Sequence, residues 1–439
     1  MPSLSDYTAC PDCDLFLHEA KAPEGYKTIC PRCRRTISRS STASISKVLA
    51  LSIAGLCLYL PAILLPLMTF KAYGFSGSAN ILQSILNFYR NDYYFVSVMV
   101  LLSAVVFPFI LLTTICIISW QLQRRRYPSY LTGLFRIHLH LEEWAMVEVY
   151  LLGILVTIIK MSHTSEIDYH SGILCFSWLV LITLGISTVI DRDLFWHRIE
   201  TKGRENGINQ EEAAESDGAG LTAAERGLIL CHTCHKLSPA ALAGERCPRC
   251  RTILHMRKPQ STGRTWALVV TSAIFLAPAN LLPIMEVDFL GIPDRSTIID
   301  GIIYFFQDGS YLIGLIIFAA SVLVPVFKIA GLIILLRATR PGSNTRLLVH
   351  KAQLYRFIAF IGRWSMLDIF VIALLSVLVD FGFFTSIHTA PAATYFSFVV
   401  AATMFAATAF DPRIIWDNCS SGEKTEFQGR LAKPYWKHS

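Results

Sequence analysis

Long apolar runs alternate with short polar connections along the whole chain. Eight of these runs approach the roughly 20 residues that a membrane span requires. Four lie in the first half, at 45–67, 93–119, 144–161 and 172–190, and four in the second, at 266–285, 311–336, 364–384 and 392–410. The third is short and interrupted by Glu148. The segments Gly77 to Arg90 and Pro293 to Gln307 carry amphipathic apolar runs, such as Ile298, Ile299, Ile302, Ile303 and Phe306. Segments of this kind are expected to lie on the outer leaflet or to cap a cavity.

The pattern is duplicated. Pro61-Ala62-Ile63-Leu64-Leu65-Pro66-Leu67-Met68 recurs as Pro278-Ala279-Asn280-Leu281-Leu282-Pro283-Ile284-Met285, and Pro108 recurs as Pro325. Trp144-Ala145-Met146-Val147-Glu148-Val149-Tyr150 matches Trp364-Ser365-Met366-Leu367-Asp368-Ile369-Phe370, and Asp191 and Trp196 match Asp411 and Trp416. Four spans per unit is an even number, so both units take one orientation and form a parallel repeat. Basic residues set that orientation. Arg124, Arg125, Arg126 and Arg136 lie on one side with Arg337, Arg340, Arg346, Lys351, Arg356 and Arg363, whereas the other side holds Lys71, Arg90, Arg295 and Lys160. Both termini and the central linker are therefore expected in the cytoplasm.

Composition agrees with a bilayer protein. Of 439 residues, 53% are hydrophobic and 16% charged, against about 25% charged in soluble domains. A soluble enzyme, a disordered scaffold and a secreted disulfide scaffold are excluded. The net charge of +7 needs no nucleic acid, because basic residues are retained in cytoplasmic loops. No signal peptide is expected, since Cys10 and Cys13 stand where its apolar stretch would be.

Each unit opens with paired thiols. Cys10-Pro11-Asp12-Cys13 is followed after sixteen residues by Cys30-Pro31-Arg32-Cys33, and Cys231-His232-Thr233-Cys234 after twelve by Cys247-Pro248-Arg249-Cys250. This spacing suits two tetrahedral four-cysteine sites held between hairpin tips, with structural zinc as the leading occupant. A rubredoxin-like iron site and thiol redox chemistry are the alternatives, and a reducing cytoplasm argues against disulfides. Four thiolates saturate zinc and leave no open position for catalysis. His232 and His235 could replace a ligand, although four cysteines make this unnecessary. Cys57, Cys116 and Cys175 are expected to act as small packing residues in the spans, and Cys419 is isolated. Arg32, Arg34, Arg35, Arg249 and Arg251 flank the thiols, and so close to a bilayer they favour anionic lipid or a protein partner over nucleic acid.

The expected fold is thus an α-helical polytopic membrane protein with two parallel repeats of four transmembrane helices, each preceded by a small cytoplasmic zinc-ribbon module. The boundaries are a ribbon at 1–44, the first unit at 45–199, a linker at 200–226, the second ribbon at 227–260, the second unit at 261–417 and a tail at 418–439.

Ionisable residues within a bilayer are expensive and mark functional positions by default. Lys328 lies ~12 Å and Asp368 ~6 Å from the cytoplasmic face at 1.5 Å per residue, a difference that a lysine can bridge by snorkelling. The pair is either a salt bridge between helices or a working site. The second unit holds Asn280, Lys328, Ser365 and Asp368, where the first has Ile63, Leu111, Ala145 and Glu148. This thinning marks the second unit as the working half. Pro278 and Pro283, like Pro61 and Pro66, break the backbone ladder near the outer end of a span, either as simple kinks or as the lining of a substrate site.

With these features in hand, the sequence resembles the paraquat-inducible protein A family, the PqiA and LetA group of inner-membrane intermembrane lipid transport proteins. The resemblance rests on the Cys-Pro-x-Cys knuckles, Leu276 to Met285, Val324-Pro325 with Lys328, Gly362-Arg363-Trp364-Ser365-Met366-Leu367-Asp368, and Phe410-Asp411-Pro412-Arg413 with Trp416-Asp417. It runs from about Cys10 to Asp417, and Met146 to Tyr150 with the Asp-Pro-Arg ending looks closer to the PqiA branch. The resemblance implies a bacterial inner-membrane protein that moves lipids, chiefly phospholipids, with a periplasmic MCE-domain tunnel partner and contributes to envelope integrity. A proton-coupled exporter of lipophilic molecules, a rubredoxin-like redox protein and a membrane sensor are the other readings. No G-x-x-x-x-G-K-[ST] phosphate loop is present, so ATP hydrolysis is not expected.

Overall fold

The computed structural model describes residues 7–18, 26–39, 45–72, 75–161, 166–200, 222–289, 292–307, 309, 311–340, 347–378, 385–417 and 435–438. The chain opens with two short hairpins, β1 (Tyr7–Ala9) with β2 (Phe16–His18) and β3 (Tyr26–Ile29) with β4 (Thr36–Arg39). The first helical unit follows as α1 (Ile45–Leu64), β5 (Met68–Ala72), β6 (Phe75–Ala79), α2 (Ile81–Arg90), α3 (Tyr94–Val100), a π-helical segment over Leu101–Val106, α4 (Phe107–Gln123), α5 (Leu131–Leu141), α6 (Val147–Met161), β7 (Glu166–Tyr169), α7 (Ser171–Val189) and α8 (Arg192–Glu200).

The second module holds β8 (Leu228–Leu230) and β9 (Leu237–Pro239). The second unit repeats the order with α9 (Ser261–Leu281), β10 (Met285–Phe289), β11 (Ile292–Ser296), α10 (Ile298–Gln307), α11 (Tyr311–Phe318), a π-helical segment over Ala319–Leu323, α12 (Val324–Ala338), α13 (Leu348–Gly362), a 3-10 turn over Arg363–Met366, α14 (Leu367–Leu378), β12 (Thr385–Thr389), α15 (Ala392–Ala409) and α16 (Ile414–Asp417). A last strand, β13 (Tyr435–His438), pairs antiparallel with β3.

Among the described residues, seven helices or helix runs are long and apolar enough to cross a membrane: Ile45–Leu64, Tyr94–Gln123, Ser171–Val189, Ser261–Leu281, Gly314–Ala338, Leu348–Val377 and Ala392–Ala409. The eighth expected span is shorter, an apolar stretch over Val147–Ile159. Its counterpart is longer because α13 runs through the 3-10 turn into α14, whereas a break at 142–146 separates α5 from α6. The expected span 364–384 corresponds to α14 and leaves the described residues after 378.

The strands within the units were not expected from hydropathy. The hairpin after the first helix of each unit takes a third strand from the connection before the last helix, giving the sheet orders β6-β5-β7 and β11-β10-β12. Proline explains where these helices stop. Pro61 and Pro278 are tolerated inside α1 and α9, but Pro66 and Pro283 stand just beyond the helix ends, where the chain can turn into the strands. The carbonyl of Pro283 then accepts from the Ala392 N–H at 3.1 Å, tying the start of α15 to the end of α9. In the first unit the same junction is tighter, because a Cβ on Gly172 would lie 2.4 Å from the Pro66 carbonyl oxygen.

Both π-helical segments end where α4 or α12 opens on a proline, Pro108 or Pro325. Proline supplies no N–H to the preceding turn, and the Phe107 and Val324 N–H groups reach back five residues to Leu102 and Ala319. The expected amphipathic segments are the helices α2 and α10. Of these, α2 docks on the other unit, Asn87 donating from Nδ2 to the Ser376 carbonyl at 2.9 Å. The units also meet through their matching third helices, with the rings of Tyr150 and Phe370 5.1 Å apart, and through Phe95 stacked on Phe398 at 4.0 Å. Cys57 is exposed on α1, and so is not the packing residue expected; Cys116 and Cys175 are half-buried. Cys419 lies outside the described residues.

The Gly172 junction predicts a sign difference between two glycine substitutions. Gly172→Ala is expected to destabilise by about 1–3 kcal/mol through overpacking against backbone. Gly133→Ala in α5, where nothing lies within 4 Å, is expected to stabilise by about 0.5–1 kcal/mol. Thermal unfolding of the detergent-solubilised chain measures both.

Candidate metal centres and the buried lysine site

All four cysteine knuckles adopt one backbone form. The residue after the second cysteine, Asp14, Arg34, His235 or Arg251, has a left-handed φ of 58°, 61°, 53° or 60°. Its N–H donates to the carbonyl of the first cysteine, and the N–H of that first cysteine donates to the residue beyond, as in Asp14 to Cys10 at 2.8 Å and Cys10 to Leu15 at 3.0 Å. A non-glycine residue rarely takes this conformation. The turn aims two thiols at one point.

The thiols of Cys10, Cys13, Cys30 and Cys33 are buried together, as are those of Cys231, Cys234, Cys247 and Cys250, each set lying within 4.8 Å. The Cys10–Cys33 and Cys231–Cys250 sulfurs are 3.4 Å apart, and Cys13–Cys30 and Cys234–Cys247 3.6 Å. Sulfurs bound at ~2.3 Å to a tetrahedral ion stand ~3.8 Å apart, so both sets fit a four-thiolate metal. His232 and His235 are not part of these sets.

The two modules dock crosswise. The first, although joined to α1, packs beneath the second unit: Arg356 on α13 donates from Nη2 to the Cys33 carbonyl at 2.7 Å, and the Arg32 guanidinium lies 4.5 Å over the Trp416 ring. The second module binds the end of the first unit, where Glu200 on α8 pairs with Lys236 and, at 2.7 Å, with Arg249. The two modules also touch each other, since the Ala223 N–H donates to the Asp14 carbonyl at 2.9 Å. The end of the expected linker is therefore part of the folded pair.

A buried ionic cluster ties the modules to the second unit. Arg413, itself buried, donates to Asp411 at 3.1 Å and to the His232 ring at 2.9 Å. Arg257 bridges Asp14 at 3.0 Å and Asp417 at 2.6 Å. Burial by itself would raise the Asp411 carboxyl, but the Arg413 guanidinium and the Lys258 N–H hold it down to about 2. Asp14 is instead pushed up by burial, which Arg257 and Arg413 only partly oppose. Burial beside Arg413 pulls His232 down to about 4. Asp411, Arg413 and Asp417 were visible in sequence as motif residues; that Asp14, Arg257 and His232 join them was not.

The second candidate site lies among the apolar helices of the second unit. Lys328, in the second turn of α12, is fully buried, and its Nζ donates to the Ser365 hydroxyl at 3.2 Å. The 3-10 turn Arg363–Met366 positions that hydroxyl. Asp368 occupies the second position of α14, but its side chain lies outside the described residues, and so does the expected pairing with Lys328. Asn280 is not brought into the pair: it sits at the C-terminal end of α9 and donates to the Leu276 carbonyl of its own helix at 2.9 Å. Glu148, half-buried, lies in the first turn of α6, where a carboxylate favours the helix dipole.

Sequence reading missed a second exchange between the repeats. In the first unit Thr114 of α4 meets the buried His138 of α5, Oγ1 to Nδ1 at 3.2 Å. In the second unit Gly331 and Ile358 stand at these positions, so close that a Cβ on Gly331 would lie 2.6 Å from Ile358 Cδ1. Burial holds His138 down at about 4, so the imidazole is neutral near pH 7.

Fold and sites together define a polytopic, internally duplicated membrane protein with two four-cysteine metal modules. The chain belongs to the paraquat-inducible protein A family, whose model matches residues 45–200 and 262–420. It is 32% identical over 418 residues to the intermembrane transport protein PqiA of Escherichia coli (strain K12), covering 95% of this chain and 97% of that protein. It is 30% identical over 421 residues to the lipophilic envelope-spanning tunnel protein A of the same strain, covering 95% and 92%. A probable intermembrane transport protein of Haemophilus influenzae is 26% identical over 419 residues, covering 93% and 95%. No solved structure matches the chain.

Removing the Arg413 side chain would leave the buried Asp411 carboxylate without its guanidinium partner, held by the backbone N–H groups of Lys258 and residue 413. Arg413→Ala is therefore expected to cost about 3–5 kcal/mol, with Arg413→Lys costing less. The Asp411 carboxyl is held below its ordinary value of 3.8. Its contribution should therefore be complete above pH ~4 and be lost as pH falls through about 2. Thermal unfolding as a function of pH, with Asp411→Asn as reference, measures this.

Proposed function

We propose that the chain is a non-enzymatic inner-membrane component of an intermembrane lipid transport system, passing phospholipid to or from a periplasmic MCE-domain partner. The observation that carries this reading is Lys328, a buried lysine whose one hydrogen-bond partner among the described residues is the Ser365 hydroxyl, within the apolar interior of the second unit. A buried lysine is costly in a membrane, and a phosphate headgroup is a ligand that would offset that cost. The aligned Leu111 and Ala145 of the first unit offer no such contact. The relatives named for intermembrane transport and for a lipophilic envelope-spanning tunnel support extending this chemistry to transport between membranes.

In this reading eight spans cross the inner membrane, the short α6 among them, with both termini and both metal modules in the cytoplasm. The modules are zinc ribbons that fasten the two units, with Thr222 and Ala223 of the expected linker and β13 of the expected tail packed onto the first. Lys328 and Ser365 receive the headgroup, Asp368 assists its release, and Asn280 with the Pro278/Pro283 break lies nearer the outer exit. A proton-coupled exporter would use the same lysine as a relay.

A photo-crosslinking residue at Phe327, in cells grown with radioactive phosphate, tests the site. Labelling is expected there but not at Leu111, and Lys328→Ala should reduce it about tenfold, the value of one charge-assisted contact to phosphate. Equal labelling at both positions, or none at Phe327, would reject a lipid at Lys328 and favour the exporter.

For the modules, metal analysis of the purified chain is expected to give two zinc ions. Cys30→Ser and Cys247→Ser should each remove one. A visible absorbance from iron would refute zinc.

A further inference from the structure

A groove lies on the flank of the second unit at its cytoplasmic end, between the start of α9 and the end of α15. Its volume is about 520 Å³, and Arg264, Ala267, Leu268, Phe405, Thr408 and Ala409 line it. Arg264 is exposed and makes no side-chain hydrogen bond or ion pair among the described residues. It stands in the first turn of α9, where a cation works against the helix dipole, so helix stability does not account for it. Lys258 adds positive charge at the same end, its Nζ donating to the Thr408 carbonyl at 2.7 Å and the Phe410 carbonyl at 3.2 Å. Towards the bilayer the walls turn apolar, with Ala267 and Phe405 exposed and Ile274 further along α9 65% exposed.

The repeat shows that this is more than the retention of a basic residue at the cytoplasmic face. The aligned residues of the first unit are Lys47, Ala50, Leu51, Gly185, Thr188 and Val189. The cation is kept, but the aromatic wall is replaced by glycine. In the second unit Phe405 is braced by Trp144 from the first, their rings 4.6 Å apart. The matching Trp364 rests on Phe360 of its own stretch of chain. A braced aromatic wall beside an unpaired guanidinium, at the level where a bilayer places its headgroups, is complementary to an amphipathic anion.

We propose that this groove docks a phospholipid of the cytoplasmic leaflet, Arg264 receiving its phosphate and Phe405 and Ala267 flanking the start of its acyl chains. The occupant would be the lipid on its way into or out of the second unit, which rests on the transport reading. In the first unit Gly185 stands in place of Phe405, so this aromatic wall belongs to the second unit.

The test uses the full-length chain in its membrane, with a photo-crosslinking residue at Thr408 and, as the repeat-matched reference for bulk lipid, at Thr188. In cells grown with radioactive phosphate, labelling at Thr408 is expected to exceed that at Thr188 and to be released by phospholipase C. Arg264→Gln should lower it about fivefold, the affinity that one basic side chain commands at a lipid surface, whereas Arg264→Lys should keep most of it. Ala267→Trp, which fills the groove and leaves the charge, should lower it as Arg264→Gln does. Labelling no stronger than at Thr188, unmoved by Arg264→Gln, or resistant to phospholipase C would overturn the proposal. Labelling at Thr408 with none at Phe327 would refute transport through Lys328 and leave the groove standing.

Discussion

The architecture depends on one buried guanidinium. Arg413 lies just past the end of α15, where it holds Asp411 of its own turn and His232 of the second cysteine module and stands 4.0 Å from Asp14 of the first. A buried cation among carboxylates is tolerated only when its partners are in place. Both modules must therefore be folded and docked for the end of the second unit to be satisfied. A metal held by the thiols, whose knuckles carry Asp14 and His232, would in this way be coupled to the packing of helices more than a hundred residues away in sequence.

Crosswise docking adds to that coupling. The first module is covalently joined to the first unit but rests on Arg356, Trp416, the end of α12 and the start of α13. The second rests on Phe195, Trp196 and Glu200 at the end of the first unit. Separation of the units would strain both attachments. Above this joint the units meet through α6 and α14, and α2 of the first unit clasps α14 of the second through Asn87.

The duplicated scaffold supports unequal halves. Thr114 and His138 form a polar pair where the second unit has Gly331 against Ile358, and Lys328 with Ser365 replaces Leu111 with Ala145. Each exchange changes what lies inside a helix pair without altering the order of helices. The second unit thus combines the buried lysine with the groove at Arg264, one near the middle of the helix bundle and one at the edge nearer the cysteine modules. The first supplies Trp144 and α2 as braces.

Much of this was legible in the chain itself. A run of about 20 apolar residues has few folds open to it besides a membrane helix, so six of the long helices, the duplication and the two four-cysteine sets follow from pattern and spacing, whereas the run Leu348–Val377 begins well before the span expected at 364. The weakness of the run at 144–161, broken by Glu148, matches the shortness of α6. What pattern could not decide was everything set by approach across sequence: the third strand added to each hairpin, the crossing of the modules, and the choice of Ser365 as partner of Lys328 while Asn280 turns back onto its own helix. Hydropathy records which surfaces avoid water. In a membrane protein most surfaces do, so which of them meet is decided by shape, by the few buried charges that require partners, and by carbonyls left open at proline.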